Sequence, residues 1–450
     1  MSALAGFGLT PGLAMLWSQM LVALALAPGL LYAAHTRFPN GVAAVYVAVA
    51  LLLVLGLSHG DISARVSFSM HYNRWCWALA LLAVPLACLD GGGRRGIIDG
   101  VLIGLALSAM ALIKMTFFAA FLPVIAAGLV LRQAFGSACT AAVTGGGIAI
   151  LVTFAYGAGF WGAYYSDLAA VANAPFRSIP GDSLAGNIIF PEFMPGTLLA
   201  FAGYFVLRRG GDGIGAIVLL LLAAGGIYAT FQSFDNPPFW FAVAGVFLLA
   251  RADVVTRMIG GAFLVLIAPL VLNLAVTILW HSSLARAGGS KLVAARPVGI
   301  QVAPGRIDRF DVPPAFLAAS GETRGLNGAP LPDCNVRDGL AIWYNALAQD
   351  VAASGIPAEA GILVADTIGS VWLAGIGQPP RADQTALGGA SAPWHYGGAP
   401  GSSAANYVVV PTCVTDLARR ADILKTLRAG GQSFETVHEG RLSQIYRINR

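Results

Sequence analysis

Residues 72–132 read YNRWCWALALLAVPLACLDGGGRRGIIDGVLIGLALSAMALIKMTFFAAFLPVIAAGLVLR, and the spacing of charge within them decides the fold. Three apolar runs, 75–89, 97–113 and 115–131, are parted by DGGGRRG and by a single Lys114. A hydrocarbon core about 30 Å thick is crossed by roughly 17–25 apolar residues in a helix, so runs of this kind cross it or nearly do. Working outward, similar runs fall at 10–34, 41–58, 138–157, 195–207, 214–231, 238–250 and 258–280, which makes about ten helices. The 450 residues are 57% hydrophobic and 11% charged, against roughly 25% charged in a soluble domain. The chain therefore reads as a polytopic α-helical membrane protein.

Orientation follows from the basic residues, because Lys and Arg in short loops are retained on the cytoplasmic side. Alternate connections carry Arg37, then Arg94 and Arg95, Arg132, Arg208 and Arg209, and Arg251 and Arg257. The other set gathers Asp61, Asp167, Asp182, Glu192 and Asp235, and is expected outside a bacterial inner membrane, together with the N-terminus and everything after Trp280. The formal charge of +5 is spread over many loops, whereas nucleic-acid binding needs a clustered basic face. No basic stretch precedes the first apolar run, so no cleavable signal peptide is expected.

Residues 1–280 are thus expected to form the membrane domain, and 281–450 a soluble extracytoplasmic α/β domain. In the latter, strand-like runs (KLVAARPVGIQV, GILVAD, NYVVVPT, SQIYRI) alternate with helical patterns (RDGLAIWYNALAQDVAAS, TDLARRADILKTLRAG). Residues 376–405 are rich in Gly, Pro and Ser and read as a loop. Cys334 and Cys413 would be able to pair in an oxidising compartment. Asp366, Trp394 and His395 are polar positions at a strand end and in that loop, and ordinary surface explains them.

Chemistry concentrates in SHGDISARVSFSMHYNR, residues 58–74, a polar island between apolar runs. Ionisable side chains beside a bilayer are costly unless paired or facing water, which marks such a cluster as a candidate site. Asp61 is the candidate general base and His59 its helper; a helix cap at Ser58–Asp61 is the structural alternative. Lys114 and Arg74 are candidate partners for a lipid-linked phosphate, with Arg65, His71, Tyr72 and Asn73 adding hydrogen-bonding groups. Snorkelling to the interface is the plain explanation for both cations. Segment 158–194 is too polar to span: its aromatic residues suit the membrane interface, 165–172 reads as a short surface helix, and Asp167, Arg177 and Asp182 are candidates of second rank. GAGFWG at 157–162 matches GxGxxG, but no βαβ unit surrounds it and a dinucleotide site is rejected. Asp235 is explained by its turn before Pro237 and Pro238. A divalent metal would need several oxygens, for which only Asp61 and Asp167 can be nominated.

The 72–132 stretch, with Gly104, Leu105 and Lys114 at a helix junction, resembles the GT-C superfamily of bacterial membrane glycosyltransferases, as NYVVVPT followed by a helix and SQIYRINR resembles their extracytoplasmic domains. The resemblance implies inverting transfer of a sugar from a polyprenyl-phosphate carrier to a glycan, lipid or protein acceptor at the outer face. It also implies a carboxylate in the first outer loop, yet no Asp or Glu precedes Asp61. Three explanations stay open: an upstream helix and loop are missing, Asp61 has taken the role, or the protein is inactive. The competing classes are a non-catalytic assembly protein of envelope polysaccharide synthesis and a lipid or solute transporter. A transporter predicts charges deep in several spans and matching halves, and neither is visible.

Overall fold

The computed structural model describes residues 11–56, 68–91, 96–172, 184–233, 237–286, 319–332, 340–366, 371, 376–377, 405–414 and 417–449. It divides into two compact units, one of Leu16–Gly162 and Ile179–Ser283, the other of Met1–Met15, Ala163–Ser178 and Leu284–Arg450.

Each of the ten apolar runs falls on a helix: α1 Pro11–Arg37, α2 Asn40–Leu55, α3 Phe68–Cys88, α4 Gly96–Ile113, α5 Met115–Leu131, α6 Phe135–Tyr156, α9 Met194–Arg209, α10 Gly213–Phe231, α11 Trp240–Leu249 and α12 Val254–Arg286. Two short helices, α7 Gly159–Ala172 and α8 Gly186–Ile189, lie in the polar segment between α6 and α9. Stretches of α1, α4, α6, α10 and α12 are long and apolar enough to cross a membrane. The chain is a helical membrane protein.

A helix apolar on every side belongs inside a bundle. All residues from Cys76 to Cys88 on α3, and from Trp240 to Leu248 on α11, are buried. Trp77 meets Phe117 and Phe121 of α5 edge-on, at ring separations of 5.0 and 5.5 Å. The outer helices show apolar side chains on their surface instead, among them Phe154 of α6, 85% exposed, and Val265 of α12, 71% exposed. In water such a face would be costly; against lipid tails it is not. With 10 residues and a rise of 1.5 Å each, α11 is about 15 Å long, half a hydrocarbon thickness.

Between α4 and α6 the backbones touch. Gly96, Gly100 and Gly104 recur every fourth residue, the small-residue spacing that lets membrane helices approach closely. A Cβ at Gly100 would lie 2.6 Å from the Ser137 carbonyl oxygen and 2.6 Å from Thr140 Cβ; one at Gly104 would meet Ala141 O at 2.6 Å and Thr144 Cβ at 2.7 Å.

Ion pairs close one end of this unit. Arg37 of α1 donates to Asp99 of α4 at 2.5 Å, Arg132 pairs with Asp90, and Arg251 lies 3.1 Å from Asp212. Asp212 also caps α10 by accepting from Gly215 N at 2.7 Å. Asp253, before α12, accepts from the Thr256 amide at 2.7 Å and its hydroxyl at 2.8 Å, and these bonds hold its carboxyl below the usual range.

In the other unit a four-stranded sheet has the order β3-β4-β6-β5, with β3 Ile362–Val364, β4 Tyr407–Pro411, β5 Ser433–Glu439 and β6 Ser443–Asn449. The β3–β4 pair is parallel and the other two are antiparallel. Helices α13 Leu340–Ala352 and α14 Leu417–Ala429 complete an α/β arrangement, beside an antiparallel pair of β1 Ala319–Arg324 and β2 Pro330–Pro332. Strands β1, β2 and β5 were not expected from the sequence, and the expected strand at KLVAARPVGIQV lies outside the described residues. Cys413 is disulfide-bonded, while Cys334 lies outside the described residues. Burial pushes the Tyr446 hydroxyl up to about 12. Arg420 of α14 is fully buried and donates to the carbonyls of Pro411, Thr412 and Pro332. Arg420→Met is expected to lower the unfolding free energy of this unit by about 1–3 kcal/mol, the cost of leaving buried carbonyls without donors. Urea unfolding of the full chain, followed in this unit, measures it; an unchanged midpoint would contradict the role.

Candidate functional site

The sequence reading treats 58–74 as one polar island between spans. The structure corrects this: α3 begins at Phe68, so His71, Tyr72, Asn73 and Arg74 are helical, and His71, Asn73 and Arg74 are 1%, 3% and 2% exposed. The helix starts earlier than hydropathy suggests because these polar groups find partners inside the bundle. Spacing i, i+3 puts His71 and Arg74 on one face, and i, i+4 puts Asn73 above Trp77 on another.

Asn73 meets Lys114. This lysine takes an extended conformation (φ −157°, ψ 102°) at the break between α4 and α5. Its amide still closes α4 by donating to Met110 O at 2.8 Å, and its carbonyl opens α5 by accepting from Phe117 N at 2.9 Å. The side chain is thereby turned across the bundle. Its Nζ donates to Asn73 Oδ1 at 2.8 Å and to Ser233 Oγ, just beyond α10, at 2.6 Å. It also lies 5.7 Å from the ring centres of both Tyr72 and Phe117, within range of a cation–π attraction. Lys114 is half-buried and held by neutral acceptors from two other helical elements, which simple snorkelling does not require.

On the His71–Arg74 face the focus is the carbonyl of Gly56, which follows α2. It accepts from Arg74 Nη1 at 3.1 Å and from Gln19 Nε2 of α1 at 3.1 Å, and the same Gln19 nitrogen lies 2.8 Å from His71 Nδ1. A Cβ at Gly56 would come within 2.9 Å of Arg74 Nη1, so glycine is what lets the guanidinium approach. Four helical elements thus bring two cations, an imidazole, two amides and a hydroxyl to the end of the bundle opposite the Arg37–Asp99, Arg132–Asp90 and Arg251–Asp212 pairs. An ammonium and a guanidinium inside a helix bundle attract anions more strongly than in water, because less water screens them.

Of the expected site residues, Lys114, Arg74, Tyr72, Asn73 and His71 come together here. Asp61, His59, Arg65, Asp182, Arg177 and Asp235 lie outside the described residues. Asp167 is exposed on α7, within the other compact unit. Among the described residues no group of three or more His, Cys, Asp or Glu side chains is placed to hold a metal ion. Gln19, Gly56 and Ser233 escaped the sequence reading. Gln19 had a usable signal, as the one amide in the apolar run 10–34; a carbonyl at Gly56 and a hydroxyl at Ser233 had none. Comparison with protein families, with curated proteins and with solved structures finds no match for this chain.

Proposed function

We propose that the chain is a membrane glycosyltransferase that moves a sugar from a polyprenyl-phosphate carrier to an envelope glycan, lipid or protein acceptor at the outer face of the membrane. The observation that carries this reading is Lys114, turned inward at a helix break and held by Asn73 and Ser233, at the same bundle end as buried Arg74. A phosphate oxygen is a stronger acceptor for an ammonium than an amide or hydroxyl oxygen. The carrier phosphate therefore displaces a neutral acceptor from Lys114. The class of reaction rests on the GT-C resemblance.

In the proposed step the acceptor hydroxyl oxygen bonds to the anomeric carbon as the bond from that carbon to the phosphate oxygen breaks. The electron pair leaves with the polyprenyl phosphate, whose growing charge Lys114 and Arg74 neutralise, and the hydroxyl proton passes to a carboxylate, for which Asp61 is the candidate. Positioning and charge stabilisation supply most of the rate in such transfers. One observation supports the outward placement of this end: the arginine-rich pairs occupy the other end, as expected for a cytoplasmic face.

The test is binding of farnesyl-phosphate hexose, a short-chain stand-in for the donor, to the purified full chain in nanodiscs. Lys114→Ala is expected to weaken binding about tenfold or more, the loss of one charge-assisted hydrogen bond of roughly 1.5–3 kcal/mol, while Lys114→Arg retains part of it. Equal affinity in Lys114→Ala would remove the lysine from the site. Binding without sugar transfer to any envelope acceptor would favour the non-catalytic assembly role.

A further inference from the structure

We infer that Gln19 is a positioning residue that fixes the His71 imidazole with its proton on Nε2, so that His71 serves the site only as a hydrogen-bond donor. The donor role toward an anion rests on the function proposed above; the placement of the proton does not.

The starting point is an amide where a hydrocarbon side chain would pack. The buried face of α1 runs Gln19, Ala23, Leu26, Leu30, Ala33, Ala34 and Arg37 at helical spacing, and Gln19 is 2% exposed. A buried primary amide inside a membrane bundle is costly unless its hydrogens are placed. They are placed on Gly56 O at 3.1 Å and His71 Nδ1 at 2.8 Å. A peptide carbonyl only accepts, so the Gln19 atom facing Gly56 is the NH2 group, and the orientation of the amide follows. Both contacts come from that one nitrogen, which carries two hydrogens. The second hydrogen points to Nδ1, which must offer its lone pair. A proton on Nδ1 would set N–H against N–H.

The imidazole proton therefore sits on Nε2, since the bond made by one ring nitrogen decides the state of the other. From that atom His71 donates and cannot act as a base. Gln19 reaches Arg74 as well, because both donate to the Gly56 carbonyl. His71 Nε2–H and the Arg74 guanidinium, on one face of α3 and both tied to Gln19 and Gly56, then offer donors suited to the oxygens of a phosphate.

The experiment is nitrogen NMR of the full chain in nanodiscs with 15N-labelled histidine, the His71 signals being those lost in His71→Gln or, should that variant misfold, those moved by Gln19→Leu. Expected is a pyrrole-type Nε2 and a pyridine-type Nδ1 in the wild type, with a second tautomer growing in for Gln19→Leu. A pyrrole-type Nδ1 in the wild type, or a spectrum that Gln19→Leu leaves unchanged, would overturn the inference. In parallel, Gln19→Leu is expected to weaken farnesyl phosphate binding about tenfold, as for one lost hydrogen bond to a charged group. A wild type with the expected tautomer and no affinity for farnesyl phosphate would overturn the anion-donor role and the proposed function while leaving the proton on Nε2 established.

Discussion

Asp99→Asn is expected to destabilise the helical unit by about 3–5 kcal/mol, the cost of removing one member of a buried ion pair and stranding the other. The side chains of Arg37 and Asp99 are 2% and 10% exposed, and 2.5 Å separates their closest atoms. Tyr32 donates to the second carboxylate oxygen at 2.9 Å, and Arg37 also donates to Thr36 Oγ1 at 2.7 Å. An amide at position 99 still fills the space, so the loss isolates charge and not volume. The penalty should therefore shrink in the double variant Arg37→Met with Asp99→Leu, where no charge is left buried. Thermal unfolding of the purified chain in detergent, scored by loss of the monodisperse species, compares the three. A loss below about 1 kcal/mol for Asp99→Asn, the range of an exposed pair, would show that water reaches the guanidinium.

The second large effect is steric. Gly100→Val and Gly104→Val are each expected to cost about 1–3 kcal/mol, as for other insertions into a packed interior, and together to separate α4 from α6. The neighbours that a new Cβ meets at 2.6 Å include the carbonyl oxygens of Ser137 and Ala141, and a backbone cannot yield as a side-chain tip can. Gly147→Val is the control, on the face of α6 where a Cβ meets nothing within 4 Å. The same unfolding assay should leave that control near wild type. Equal losses at all three positions would point to helix propensity in place of contact.

How much of this was readable beforehand depends on what each residue's signal is. The apolar runs announce themselves, because the bilayer demands length and hydropathy from each helix separately. The outline of the helical unit follows from them alone. Helix ends do not announce themselves: His71 to Arg74 look like loop until Gln19, Gly56 and Lys114 are seen to satisfy them. Lys114 stood out as the sole charge between Asp99 and Arg132, but its partners lie 41 and 119 positions away in sequence, and no local pattern specifies such pairs. The Arg37–Asp99 pair was equally hidden, since Arg37 read only as a marker of sidedness. In the other unit the apolar runs of β3, β4 and β6 were legible, whereas β5, SFETVHE, alternates polar and apolar residues weakly and owes its place to pairing with β6.

The central claim is that the Lys114 end of the bundle receives a lipid-linked phosphate. It is tested most directly by the density of the full chain in nanodiscs loaded with polyprenyl phosphate. The account predicts phosphate density within about 3 Å of Lys114 Nζ, the reach of a charge-assisted hydrogen bond, at the bundle end that holds Arg74. Phosphate found only at the end with Arg208, Arg209 and Arg257, or none near Lys114 at saturating lipid, would contradict it.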